Sequence, residues 1–100
     1  MATIIYVNGS TRELRPANGR CFTLEELQEA VGGFIEPIRL PCGDELILDE
    51  EGKIKGKSMN GRASVLLAAA GGLPDDYVAG DAVRMSAREF EETGGDAIRE

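Results

Sequence analysis

The sequence predicts a small α+β domain, a mostly antiparallel sheet with two or three short helices. Its 100 residues are 42% hydrophobic and 29% charged, which at this length suits a single core burying roughly two-thirds of the unfolded surface. Strand-like runs come in pairs split by turn signals, as at Asn8-Gly9 and Pro41-Cys42-Gly43-Asp44, and such pairs read as antiparallel hairpins. The helical segments between them are short, and two open with a capping box, Thr23 with Glu26 and Ser86 with Glu89.

Thr3 to Val7 is β-branched and aromatic, and Asn8-Gly9 turns it into a second strand over Thr11 to Arg15. Pro16 and Asn18-Gly19 end that hairpin. Thr23 then caps a helix whose Leu24, Leu27, Gln28 and Val31 share one face, and Gly32-Gly33 stops it. Phe34 to Leu40 reads as the next strand, with Pro37 marking an edge or a bulge. A turn at Pro41 to Asp44 leads into a strand over Glu45 to Leu48. Asp49-Glu50-Glu51-Gly52 reads as a further turn into Ile54, hence another hairpin. Residues 56 to 61 are polar and irregular, Ala63 to Ala70 is a small apolar helix, and Tyr77 to Met85 is a last strand containing Gly80. Ser86 opens a final helix that Gly94-Gly95 ends. The expected order is ββαβββαβα, with one domain over 1–93 and a flexible tail over 94–100.

Composition removes several functions. No histidine is present, so the usual base near neutral pH, the commonest metal ligand and every Ser-His or Cys-His arrangement are missing. Five aromatics and no Trp disfavour a base-stacking platform, and a net charge of −7 opposes direct nucleic-acid or anionic-lipid binding unless positive charge is concentrated. Cys21 and Cys42 form no C-x-x-C and are expected as reduced thiols. The acids at Asp44, Glu45, Asp49, Glu50 and Glu51 lack the calcium-loop spacing and read as a solvated turn. No run approaches the length needed to span a bilayer. No catalytic residues, metal or cofactor are expected, and a cytoplasmic protein without membrane contact follows.

Positive charge is concentrated once, in Lys53, Lys55, Lys57 and Arg62, with no acid among them. If residues 53 to 57 are extended, alternation puts the three ammonium groups on one face, just before a helix N-terminus that offers unpaired N–H groups. Lys55, Lys57 and Arg62 would then meet phosphate and Asn60 would hydrogen-bond a base or sugar. The competing reading is a solvated strand face with Asn60 or Ser58 as a simple helix cap. No G-x-x-x-x-G-K-[ST] phosphate loop is present. Glu36, on a strand face with Phe34 and Ile38, is the remaining candidate, either toward a ligand or as a partner for Arg39 or Arg84.

The stretch Leu24-x-x-Leu27-Gln28-x-x-Val31-Gly32-Gly33-Phe34-Ile35-Glu36, then Asp49-Glu50-Glu51-Gly52-Lys53, Asn60 and Val78-Ala79-Gly80-Asp81, resembles a family of small phage and mobile-element proteins of unknown function. Its marks are L-Q-x-x-V-G-G-x-I-E and D-E-E-G-K. The resemblance implies a compact α+β fold and a phage setting, and it lends no activity. Together with the basic island it leads to one expectation: a non-enzymatic protein that sequesters a small anionic ligand, a nucleotide-derived immune signal, in the host bacterial cytosol. A homo-oligomer is expected, since two small domains enclose a ligand better than one. The alternative is an inhibitor of a host defence enzyme, acting through an acidic face at Glu25, Glu26 and Glu29 or by imitating DNA.

Overall fold

The computed structural model describes residues 2–72 and 75–94. Five strands, β1 (Ala2–Ile5), β2 (Thr11–Leu14), β3 (Ile35–Arg39), β4 (Glu45–Asp49) and β5 (Ala82–Met85), alternate with α1 (Leu24–Val31), α2 (Gly61–Ala69) and α3 (Ala87–Glu92). They form one antiparallel sheet in the order β2-β1-β5-β4-β3. This is the α+β domain the sequence predicts. The tail expected over 94–100 falls, from 95 onward, outside the described residues.

The side-chain period of two divides the core between the sheet faces. Ala2, Ile4, Ile47, Val83 and Met85 point one way, meeting Phe22, Leu27, Val31 and Phe90. Ile5, Leu46, Leu48 and Ala82 point the other way, meeting Ala63, Leu67, Leu40 and Val78. The two capping boxes hold as expected at Thr23–Glu26 and Ser86–Glu89. Pro37 lies on the edge strand β3, where its missing N–H costs no pairing inside the sheet.

One predicted element is absent. Residues 51–56 form consecutive turns rather than a strand, so Ile54 enters no hairpin and is 84% exposed. The Lys55 N–H donates to the Glu51 carbonyl at 2.9 Å, Gly56 N–H to Lys53 at 3.0 Å and Lys57 N–H to Gly52 at 3.0 Å. That pattern is one helical turn closed by a glycine C-cap, and Gly56 has the left-handed φ of 72° that it needs. The extended geometry that would have aligned Lys53, Lys55 and Lys57 on one face therefore does not exist. The last strand is also shorter than predicted, because residues 77–81 carry only an isolated bridge, Met59 with Ala79.

Candidate functional site

The helical turn at 51–56 directs Lys55, and Lys57 just after it, to one buried carboxylate, and Lys53 to another partner. Asp49 ends β4 with its carboxylate buried, and Oδ2 lies 3.0 Å from Lys55 Nζ and 2.5 Å from Lys57 Nζ. The same ammonium groups cap the carboxyl end of α1. Lys57 donates to the Val31 carbonyl at 2.8 Å and Lys55 to the Gly32 carbonyl at 3.1 Å, which answers carbonyls that a helix end leaves unpaired. Burial alone would raise the Asp49 carboxyl, but Lys57, the Glu51 N–H and Lys55 outweigh it and hold it below the ordinary aspartate range. Lys53 turns away to pair with Asp76 and sits 4.8 Å from the Tyr77 ring centroid. The V-G-G and D-E-E-G-K segments thus meet in a network that ties α1 to the sheet.

Asn60 is buried completely. Its Nδ2 donates to the carbonyls of Ile5 at 2.9 Å and Gly80 at 3.0 Å, while Oδ1 accepts from the Ala63 N–H at 3.0 Å as the cap of α2. The side chain joins the end of β1, the approach to β5 and the start of α2. Glu36 lies elsewhere, exposed on β3 beside a cleft of about 180 Å³ that includes Lys53, Asp76 and Tyr77. The five residues singled out in the sequence are therefore not brought together: Lys55 and Lys57 join Asp49, Asn60 is in the core, Glu36 is at the β3 edge, and Arg62 faces a separate groove.

That groove follows from dimensions. Five strands at about 4.8 Å spacing span about 20 Å, whereas one helix covers about 10 Å. On this face α2 is the only helix among the described residues, and its Ala63 and Leu67 pack in one cluster with Ile5, Leu46, Leu48 and Ala82. The sheet beside it, at Thr3, Thr11 and Arg84, is only partly covered. The result is a groove of about 590 Å³ lined by Thr3, Ile5 and Thr11 on the strands, Arg62, Val65 and Leu66 on α2, and Asp44 and Arg84 at its end. Val65 is 69% exposed and forms an apolar wall.

Two guanidinium groups border this space, each held differently. Arg62 Nη1 donates to the Gly9 carbonyl at 2.9 Å, which fastens the start of α2 to the first hairpin and leaves the rest of its donor fork at the rim. Arg84 Nε is 3.0 Å from Asp44 Oδ2, and Nη2 donates to Cys42 Sγ at 3.3 Å. The Asp44 bond raises the Arg84 pKa above its ordinary value. Arg84 and the two threonines were not singled out from the sequence. The available signal was an arginine and a threonine alternating with apolar residues in Ala82-Val83-Arg84-Met85 and Ala2-Thr3-Ile4-Ile5, which puts both on one face of paired strands, Thr3 opposite Arg84.

Among the described residues, no group of three or more His, Cys, Asp or Glu is placed to hold a metal ion, and no helix is long and apolar enough to cross a membrane. Cys21 and Cys42 are free thiols. Fold and groove together define a small α+β domain with an open, arginine-bordered groove on one sheet face. The chain belongs to the family described as "Domain of unknown function (DUF3846)", which matches residues 2–96. No curated protein and no solved structure matches the chain.

Proposed function

We propose that this protein is a non-enzymatic binding module that holds a small anionic ligand, nucleotide-like in character, in the groove between α2 and the β1–β2 strands. The observation that carries the reading is the coincidence of two guanidinium groups with an apolar wall in a groove of about 590 Å³, within the range of about 300–1,000 Å³ typical of small-molecule sites. Arg62 would grip a phosphate through its free donors. Arg84, its charge balanced by Asp44, would offer its remaining N–H donors, Thr3 and Thr11 would hydrogen-bond a sugar, and Val65 with Leu66 would cover a base.

Lys55, Lys57 and Asn60 support this module from within the fold rather than by touching ligand, since their polar atoms are engaged by Asp49, the α1 carbonyls and the β1 and β5 backbone. The resemblance to small phage and mobile-element proteins favours a host-signalling nucleotide as the ligand, sequestered in the bacterial cytosol against host defence. The alternative of an acidic inhibitory face has less to draw on. Glu26 closes the α1 capping box and accepts from the Ala17 N–H, Asp49 is buried, and Glu45 is buried against Arg39.

Native mass spectrometry of the protein purified from bacteria with and without an active nucleotide-signalling system tests the reading. An added mass in the nucleotide range, lost in Arg62→Glu and retained in Lys55→Met, supports it. Bare protein from both sources contradicts it.

A further inference from the structure

Building on the proposed groove, on which this reading rests, we infer that Asp44 and Arg84 together read the edge of a guanine base, the ligand being a guanine nucleotide with its phosphate at Arg62. The strand register sets the order of groups along the groove. Thr3 and Leu46 lie opposite Arg84 from its two sides, and Asp44, two residues before Leu46, keeps the same face by the side-chain period of two. Arg62 is tied to Gly9, beyond the Ile5–Thr11 pair at the other end. Ile5 pairs with Ala82, which puts it four residues along the strands from the level of Asp44. At about 3.3 Å per residue this is about 13 Å, a span that an extended mononucleotide covers from phosphate to base edge.

The 41–44 turn holds both groups in place. Leu40 N–H donates to the Asp44 carbonyl at 2.8 Å and Gly43 N–H to the Leu40 carbonyl at 2.9 Å, with Gly43 at a φ of 97°, a three-residue loop closed by a glycine. Arg84 Nε donates to Asp44 Oδ2 and its Nη2 to Cys42 Sγ, so the guanidinium is fixed on two sides while Nη1 keeps its own donors. Among the described residues Arg84 is the one hydrogen-bond donor to the Asp44 carboxylate, which leaves Oδ1 its acceptor capacity. Both side chains are half-buried and line the groove. One group at this end therefore only accepts and its neighbour only donates.

This pattern selects the occupant. The pair is neutral as a whole, so it gives a phosphate little net attraction and suits an uncharged polar edge. Among the common bases, guanine sets two donors, N1–H and the N2 amine, beside the acceptor O6 on one edge. The carboxylate accepts from the donors and the guanidinium donates to O6. Adenine would turn an amine toward Arg84 and a bare ring nitrogen toward Asp44, and uracil would set an oxygen where guanine has its amine. Each leaves a polar group of the site facing its like, which is how a hydrogen-bonding site rejects a near neighbour of its ligand.

Isothermal titration calorimetry of the full chain with GMP, IMP and AMP as probes, with circular dichroism to confirm that each variant is folded, tests this assignment. The native chain is expected to bind GMP about tenfold more tightly than IMP, which lacks only the N2 amine, and AMP more weakly still. In Asp44→Asn, Arg84 holds the amide oxygen and the amide NH2 turns toward the ligand. GMP binding should then fall by about tenfold or more and its advantage over IMP should vanish, whereas a merely structural role for Asp44 would weaken all three probes alike. Equal binding of GMP, IMP and AMP, each lost in Arg62→Glu, overturns the guanine assignment and leaves the groove reading standing, and so does a GMP preference that survives Asp44→Asn. Binding of none of the three overturns both.

Discussion

Lys57 reaches back to the helix that ends 26 residues before it, donating to the Val31 carbonyl at 2.8 Å while its ammonium lies 2.5 Å from Asp49. The lysine thus meets two needs at once: a buried carboxylate requires a counter-charge, and a helix carboxyl end favours a cation. Lys55 and Lys57 of the most basic segment are for this reason a structural clamp, and Arg62, on the opposite side of the sheet, borders the groove.

Lys57→Met is expected to destabilise the fold by about 2 kcal/mol, because it leaves a buried carboxylate with only part of its compensation. Lys55→Met, at a more exposed side chain, should cost about 1 kcal/mol or less. Urea denaturation of the two variants checks the order.

Asp49 also sets a pH dependence. Its folded-state pKa lies below the ordinary 3.8, so the stability it contributes is present above the unfolded value and is lost as pH falls through the folded one. Asp49→Asn should be less stable than the native chain at neutral pH, and its melting temperature should decline less as the solution is acidified below about pH 4. Thermal melts across that range measure both effects.

Asn60→Ala should cost about 3 kcal/mol, combining a lost helix cap with the loss of two buried hydrogen bonds to the Ile5 and Gly80 carbonyls. Asn60→Asp keeps the shape and the cap but faces the Ile5 and Gly80 carbonyls with oxygen in place of N–H. It too should be strongly destabilised at neutral pH, which separates the hydrogen bonds from the volume.

Two glycines give opposite outcomes. A Cβ on Gly52 would collide with the Ala79 carbonyl oxygen, part of a backbone that cannot swing aside, whereas one on Gly61 meets nothing within 4 Å. Gly52→Ala should therefore lower stability by about 2 kcal/mol or more. Gly61→Ala, at the first position of α2, should raise it by about 0.5 kcal/mol by restricting the unfolded chain. Denaturant midpoints decide both.

Much of this fold is readable from short-range chemistry. Thr23 with Glu26 and Ser86 with Glu89 mark helix starts because the cap and its reciprocal acceptor lie within one turn. Asn8-Gly9 marks the first hairpin for the same local reason. The segment Lys53-Ile54-Lys55-Gly56-Lys57 misleads because alternation suggests a strand, while Gly56 acts as the C-cap of a single turn. What draws the lysines inward is Asp49 and the end of α1, a match set by tertiary packing that spacing along the chain does not reveal. Arg62 is legible in the sequence as the end of the basic run that begins at Lys53. Its companions Arg84, Thr3 and Thr11 come from other strands, and only the sheet order β2-β1-β5 brings them together.

The most direct measurement is a nitrogen-15 NMR titration of the labelled protein with adenosine monophosphate and a cyclic dinucleotide as probes, following backbone amides and arginine Nε–H signals. The groove assignment predicts shifts concentrated at Thr3, Thr11, Arg62, Val65 and Arg84 and abolished by Arg62→Glu. Shifts confined to residues 53–57, or none with either probe, would contradict it.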